Sequence, residues 1–143
     1  MPVKESYVQE LIQLQLNGDW PTLMTYIRDD VEWMVINPLV KSTPLSGLFH
    51  GKEEYAKTLT PLFSTFEDRI KFNLERLTVV NDLAIVEMKG QAVGAKDKKE
   101  FVGFWLFIYE LEEEAHDGEK PKIKGIKEYL DSALIKEFIE NNL

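Results

Sequence analysis

After Asp68 the apolar period changes from helical to two, and no other feature limits the fold of this chain so tightly. Upstream, apolar side chains recur at helical spacing. Downstream, Ile70, Phe72 and Leu74 alternate with Lys71, Asn73 and Glu75, as in a strand with one wet and one buried face. Helices therefore come first and strands second. That order predicts an α+β domain with the helices gathered on one side of a sheet.

Within the first half, Val8, Leu11, Ile12 and Leu16 make one side of a helix over residues 4–17, with Leu14 off that face. Asn17-Gly18 is a good left-handed stop. Asp19 is placed to cap a second short helix, with Pro21 in its first turn and Leu23, Met24 and Ile27 as its buried side. Residues 31–37 read as a first strand. The dense punctuation of Pro38, Pro44, Gly47 and Gly51 predicts an ordered loop. A third helix is expected from Lys52 to Phe66, kinked or split by Pro61.

In the second half, strands are expected over 70–80 and 83–93, joined by a turn at Asn81-Asp82. A third follows over 101–111, then a polar loop over 112–121 and a last strand over 122–131. Asp131 passes directly into a C-terminal helix beginning Ser132-Ala133-Leu134. We read the strands as one curved antiparallel meander, and residues 1–143 as a single domain, long enough to bury a core without staples.

The 101–109 run does not alternate. Phe101, Trp105 and Phe107 point one way, and Val102, Phe104, Leu106 and Ile108 the other. The helices are too few to cover both faces. The outer face is expected to be covered by a second copy, as a homodimer, or by the sheet curling on itself.

Charge and composition exclude several classes. Twenty-five acidic residues against 17 basic give a net charge of −8, which disfavours nucleic acid and anionic membranes as partners. No apolar run approaches the roughly 18–20 residues of a membrane span, and residues 1–6 have no signal-peptide core. Cysteine is absent, which removes disulfides, thiolate catalysis and Cys-ligated zinc. A soluble, cytoplasmic protein is expected. Glu110 and Glu112–Glu114 resemble a metal cluster only in composition, so neither metal nor cofactor is assigned.

Candidate chemistry concentrates at the last strand. Asp131 is either a helix cap or an inward carboxylate whose pKa burial would raise into the range of a general base. Tyr129, on the same strand face, could hold a ligand or pack in the core. Trp33 and Asn37 share a face of the first strand, where Asn37 could donate to a developing oxyanion or simply end the strand before Pro38. His50, ahead of Gly51, is an acid–base partner or a solvated loop residue; His116 is expected at the surface. Glu87, Lys89 and Gln91 alternate with Val86, Met88 and Ala92 and read as the wet side of a strand.

Four stretches carry a resemblance. They are Asn17-Gly18-Asp19-Trp20, Asp29-Asp30-Val31-Glu32-Trp33, residues 44–54 (PLSGLFHGKEE), and Ile126-Lys127-Glu128-Tyr129-Leu130-Asp131. In that order the chain resembles the SnoaL-like branch of the nuclear transport factor 2-like superfamily, among polyketide cyclases and ketosteroid isomerase-related proteins. The resemblance implies a cone-shaped, cystatin-like half-barrel with a deep pocket between sheet and helices, dimerising through the outer sheet face. It also implies which chemistries lack their parts. The base of the ketosteroid isomerases falls on Asn37, their tyrosine near Leu11 and their protonated aspartate among Phe104–Leu106. The Arg-x-Asp pair of the limonene-epoxide hydrolases falls on Met88 and Gly90. The polyketide-cyclase aspartate falls on Asp131.

Two functions remain open. One is a cofactor-independent isomerase- or cyclase-like enzyme. In it Asp131 moves a proton beside the carbonyl of a small hydrophobic compound, in a pocket walled by Trp33, Phe63, Trp105, Phe107 and Tyr129, with Asn37 and His50 as further ligand contacts. The other is a binding or assembly module with the same fold and no chemistry.

Overall fold

The computed structural model describes residues 3–113 and 120–143. Two helices, α1 (Glu5–Leu16) and α2 (Trp20–Thr25), precede strands β1 (Ile27–Val35) and β2 (Gly47–His50). Helix α3 (Lys52–Phe63) follows. Strands β3 (Lys71–Val80), β4 (Leu83–Val93), β5 (Glu100–Leu111) and β6 (Ile123–Leu130) come next, and α4 (Ser132–Asn142) closes the chain. Among the described residues, no helix is long and apolar enough to cross a membrane.

Local chemistry sets the helices. Helix α1 turns Val8, Leu11, Ile12 and Gln15 inward, an i, i+3, i+4, i+7 stripe. Asp19 accepts a hydrogen bond from the Thr22 amide at 3.3 Å and so caps α2, satisfying a donor that the first turn would otherwise leave open. Gly51 precedes α3 at φ +95°, and a side chain there would stand 2.8 Å from the Asp29 carbonyl oxygen. Pro61 lies inside α3 without splitting it, and the helix ends two residues later.

The six strands form one curved, unclosed sheet in the order β2-β1-β6-β5-β4-β3. The α+β class stands as expected, but the sheet is mixed rather than antiparallel throughout. Strand β1 runs parallel to β6 while every other neighbour is antiparallel. The local pattern of β1 does not specify this, since β6 reaches it only after the chain has crossed the whole meander. Strand β2 lies where the sequence predicts a loop; its four residues are too short for period alone to reveal, and pairing with β1 decides them. Strand β1 also begins earlier than expected, at Ile27. Its pairing with β6 shifts between Ile27 and Glu32, and β3 and β5 shift at Leu74/Arg76 and Glu110/Leu111, irregularities of the kind that bend a sheet.

The inner face buries Phe101, Trp105, Phe107 and Tyr109 of β5. Outside, Val102 is exposed and Phe104 is 62% exposed, while Leu106 and Ile108 are half-buried. Gly90 and Gly103 pair across β4 and β5. The Trp105 ring lies 2.7 and 2.9 Å from where their β-carbons would be, so glycine at both positions lets the indole lie against the sheet.

Candidate functional site

Between the concave face of the sheet and the helices lies a cavity of about 410 Å³. Its walls are almost wholly apolar, with Leu23 and Met24 from α2, Leu59 and Phe63 from α3, and Trp105 and Phe107 from β5. Glu128 is the buried charge in this lining; Asp68 and Arg69 are exposed.

Register places Glu128 there. On β6 it pairs with Phe107 of β5 and with Val35 of β1, both inward-facing. Side chains alternate along a strand, so Ile126, Glu128 and Leu130 share the inner face while Lys127 and Tyr129 face outward. Glu128 is 8% exposed. Its Oε1 accepts hydrogen bonds from Trp33 Nε1 at 3.1 Å and from the Tyr55 hydroxyl at 3.2 Å. The two donors are themselves stacked, with ring centroids 3.5 Å apart and planes 8° off parallel, so their positions are mutually fixed.

Burial lifts the Glu128 carboxyl from its ordinary 4.5 to about 7, because the charged form loses its water. Hydrogen bonds from Trp33, Tyr55 and Trp105 favour the charged form and hold the rise there. Near neutral pH the group is therefore divided between acid and base, the poise required for moving protons in both directions. Burial also raises the hydroxyls of Tyr55 and Tyr109, with the Glu128 charge adding to it. Both phenols stay protonated.

Of the residues singled out in the sequence, Trp33, Phe63, Trp105 and Phe107 line the cavity. Asp131 does not. Its Oδ1 accepts from the amides of Ala133 and Leu134, each at 3.0 Å, and it is exposed. Its expected inward placement is therefore corrected: the strand has ended, and the helix beginning at Ser132 needs an acceptor for its open amides. Tyr129 lies on the outer face with Phe104 and Leu106, at a second, shallower hollow. Asn37 is exposed and accepts from the Leu39 amide at 2.9 Å; Ile36, at φ +60°, breaks the alternation that would have aligned it with Trp33. His50 is exposed, its amide donating to Glu54. His116 and Glu114 fall outside the described residues, and among those described no group of His, Asp and Glu is arranged to hold a metal.

The sequence reading passed over Glu128, Tyr55, Tyr109 and Gln15. Two carried a legible signal. Glu128 falls two residues after Ile126 on an apolar alternation, and Gln15 completes the buried stripe of α1, so each is a polar residue where the period calls for an apolar one.

The SnoaL-like domain model matches residues 8–118. The chain belongs to this family. Its fold is shared with solved structures of low sequence identity. An NTF2-like protein from Burkholderia thailandensis E264 is 16% identical, with a TM-score of 0.70 over 94% of this chain and 95% of that one. A protein named provisionally as a SnoaL-like polyketide cyclase, from Jannaschia sp. CCS1, is 13% identical, with a TM-score of 0.70 over 94% and 92%. One named provisionally as an isomerase, from Rhodopseudomonas palustris, is 16% identical, with a TM-score of 0.63 over 92% and 91%. Curated proteins give no significant match.

Proposed function

We propose that this SnoaL-like protein is a cofactor-independent acid–base enzyme of the isomerase or cyclase type, acting on a small hydrophobic carbonyl compound, with Glu128 as its proton carrier. One observation carries the reading: the Glu128 carboxyl is buried at the wall of a largely apolar cavity, where loss of water raises its pKa to about 7. The ionised carboxylate takes a proton from the carbon beside the carbonyl. The C–H electron pair becomes a C=C bond, the carbonyl π pair moves to oxygen, and Glu128 returns its proton to carbon. Trp33 and Tyr55 orient the carboxylate and keep its charged form accessible. The cyclase and isomerase names borne by two neighbours agree with this chemistry but rest on likeness of fold alone.

Incubating the protein with 2-tetralone in deuterium oxide and following loss of the α-proton signals by NMR tests the reading. Exchange above background should disappear in Glu128→Gln and persist in Asp131→Asn. Exchange unchanged in Glu128→Gln would remove Glu128 from the chemistry. A second reading, binding without catalysis, draws on the three donors already converging on Glu128; it gains if 2-tetralone binds but does not exchange.

We also propose that the outer sheet face joins two copies of the chain. Its support is the exposed apolar pair of Phe104 and Val102 beside the half-buried Leu106 and Ile108, more than a solvated face would carry singly. Sedimentation of Phe104→Glu against the parent protein checks it: the parent should run as a dimer and the variant as a monomer.

A further inference from the structure

A second polar feature of the cavity takes no part in the proton transfer. Tyr109 lines the cavity from β5, 4% exposed, and donates its hydroxyl to Gln15 Oε1 at 2.7 Å. Gln15, on the buried stripe of α1, is 1% exposed, yet its Nε2 has no hydrogen-bond partner. Buried N–H groups without an acceptor are rarer than under-used carbonyl oxygens. Turning the amide over exchanges the two atoms. Its NH₂ then donates to the Tyr109 oxygen, and the Tyr109 O–H is released for another acceptor.

The two orientations give Tyr109 opposite characters. With its proton on Gln15, it offers lone pairs to a hydroxyl in the cavity; with the amide turned, it offers a proton to a carbonyl. We infer that Tyr109, set by Gln15, is a recognition point for a ligand oxygen, able to accept it as ketone or as alcohol or enol. It stands near enough to Glu128 for that charge to help keep the phenol protonated. The inference rests on the reading of this cavity as a ligand site and adds the ligand's class. That class is a compound apolar over most of its surface, of about two fused rings, with one oxygen that can be either donor or acceptor. Glu128 is the acid–base group, and Tyr109 holds the oxygen of the compound.

Three probes of one shape separate the roles: 2-tetralone, 2-tetralol and tetralin, titrated by the fluorescence of the cavity tryptophans. Tyr109→Phe should weaken the ketone and the alcohol by about fivefold to tenfold, the worth of one net hydrogen bond, and change tetralin by less than about twofold. In the parent protein, the side-chain amide NMR signals of Gln15 should move on adding 2-tetralone or 2-tetralol and stay still with tetralin. That measurement holds even if the variant folds poorly. Equal weakening of all three probes, unmoved Gln15 signals, or no saturable binding of any probe would overturn the inference. So would an oxygen preference lost in Glu128→Gln but kept in Tyr109→Phe, an outcome that leaves the acid–base reading standing. The converse, selective loss in Tyr109→Phe while Glu128→Gln still exchanges deuterium, sinks the acid–base reading and keeps this one.

Discussion

Glu128 and Asp131 are both carboxylates at the end of β6, and they have opposite fates. Asp131 has left the strand, faces water and gives its lone pairs to two backbone amides of α4. Glu128 is still in the strand on the inner parity and loses its water to an apolar cavity, so its carboxyl rises to about 7. What separates them is sheet register and distance from a helix start, not chemical type. A carboxylate at a strand end becomes a proton carrier only if the strand's pleat turns it away from both water and open amides.

The largest expected effect tests the buried member. The folded pKa of Glu128 lies above the unfolded value, so its contribution to stability is full below about pH 4.5. It is lost as pH rises through about 7, where the folded state must at last hold the charge. Over that window the unfolding free energy should fall by on the order of 3 kcal/mol. Chemical denaturation at several pH values should show that slope in the parent protein and its absence in Glu128→Gln. A parent curve flat from pH 4.5 to 7 would equate the two carboxylates.

Removing one of the donors sharpens the contrast. Tyr55→Phe deletes a hydrogen bond that favours the ionised carboxylate, so the Glu128 carboxyl should titrate above 7. Stability should fall by roughly 1–3 kcal/mol near neutral pH, where a charged acceptor is left under-satisfied. Carboxyl NMR of labelled glutamate reads the first change and urea unfolding the second. A lower titration midpoint would contradict the assigned role of Tyr55.

The exposed member should respond least. Asp131→Ala removes the cap of α4 at a cost of about 1 kcal/mol, whereas Asp131→Asn should differ from the parent by only a few tenths, since an amide caps nearly as well. Neither change should move the Glu128 titration. Movement in Asp131→Asn would show the two sites to be coupled despite their separate partners.

Much of this was legible in advance. The switch of period after Asp68, the stop at Asn17-Gly18 and the two-sided run 101–109 are local facts, and helices, strands and the inward aromatics of β5 followed from them. The order of four stretches sufficed for the family. Less legible was parity at the end of β6. The strand-end position and the cyclase resemblance both point to Asp131, although the alternation, counted from Ile126, points to Glu128. Missing that residue also hid Tyr55 and Tyr109, whose significance depends on what they meet.

Residue pattern alone determined the kinds of element and their apolar faces, because both arise from neighbours within a few positions. It could not determine that β1 would lie parallel to β6, or that Trp33, Tyr55 and Glu128 would converge, since those residues are brought together from distant parts of the chain. Nor could it set the proton affinity of Glu128. That property belongs to the space around the carboxyl, and the space exists only once sheet and helices have closed over it.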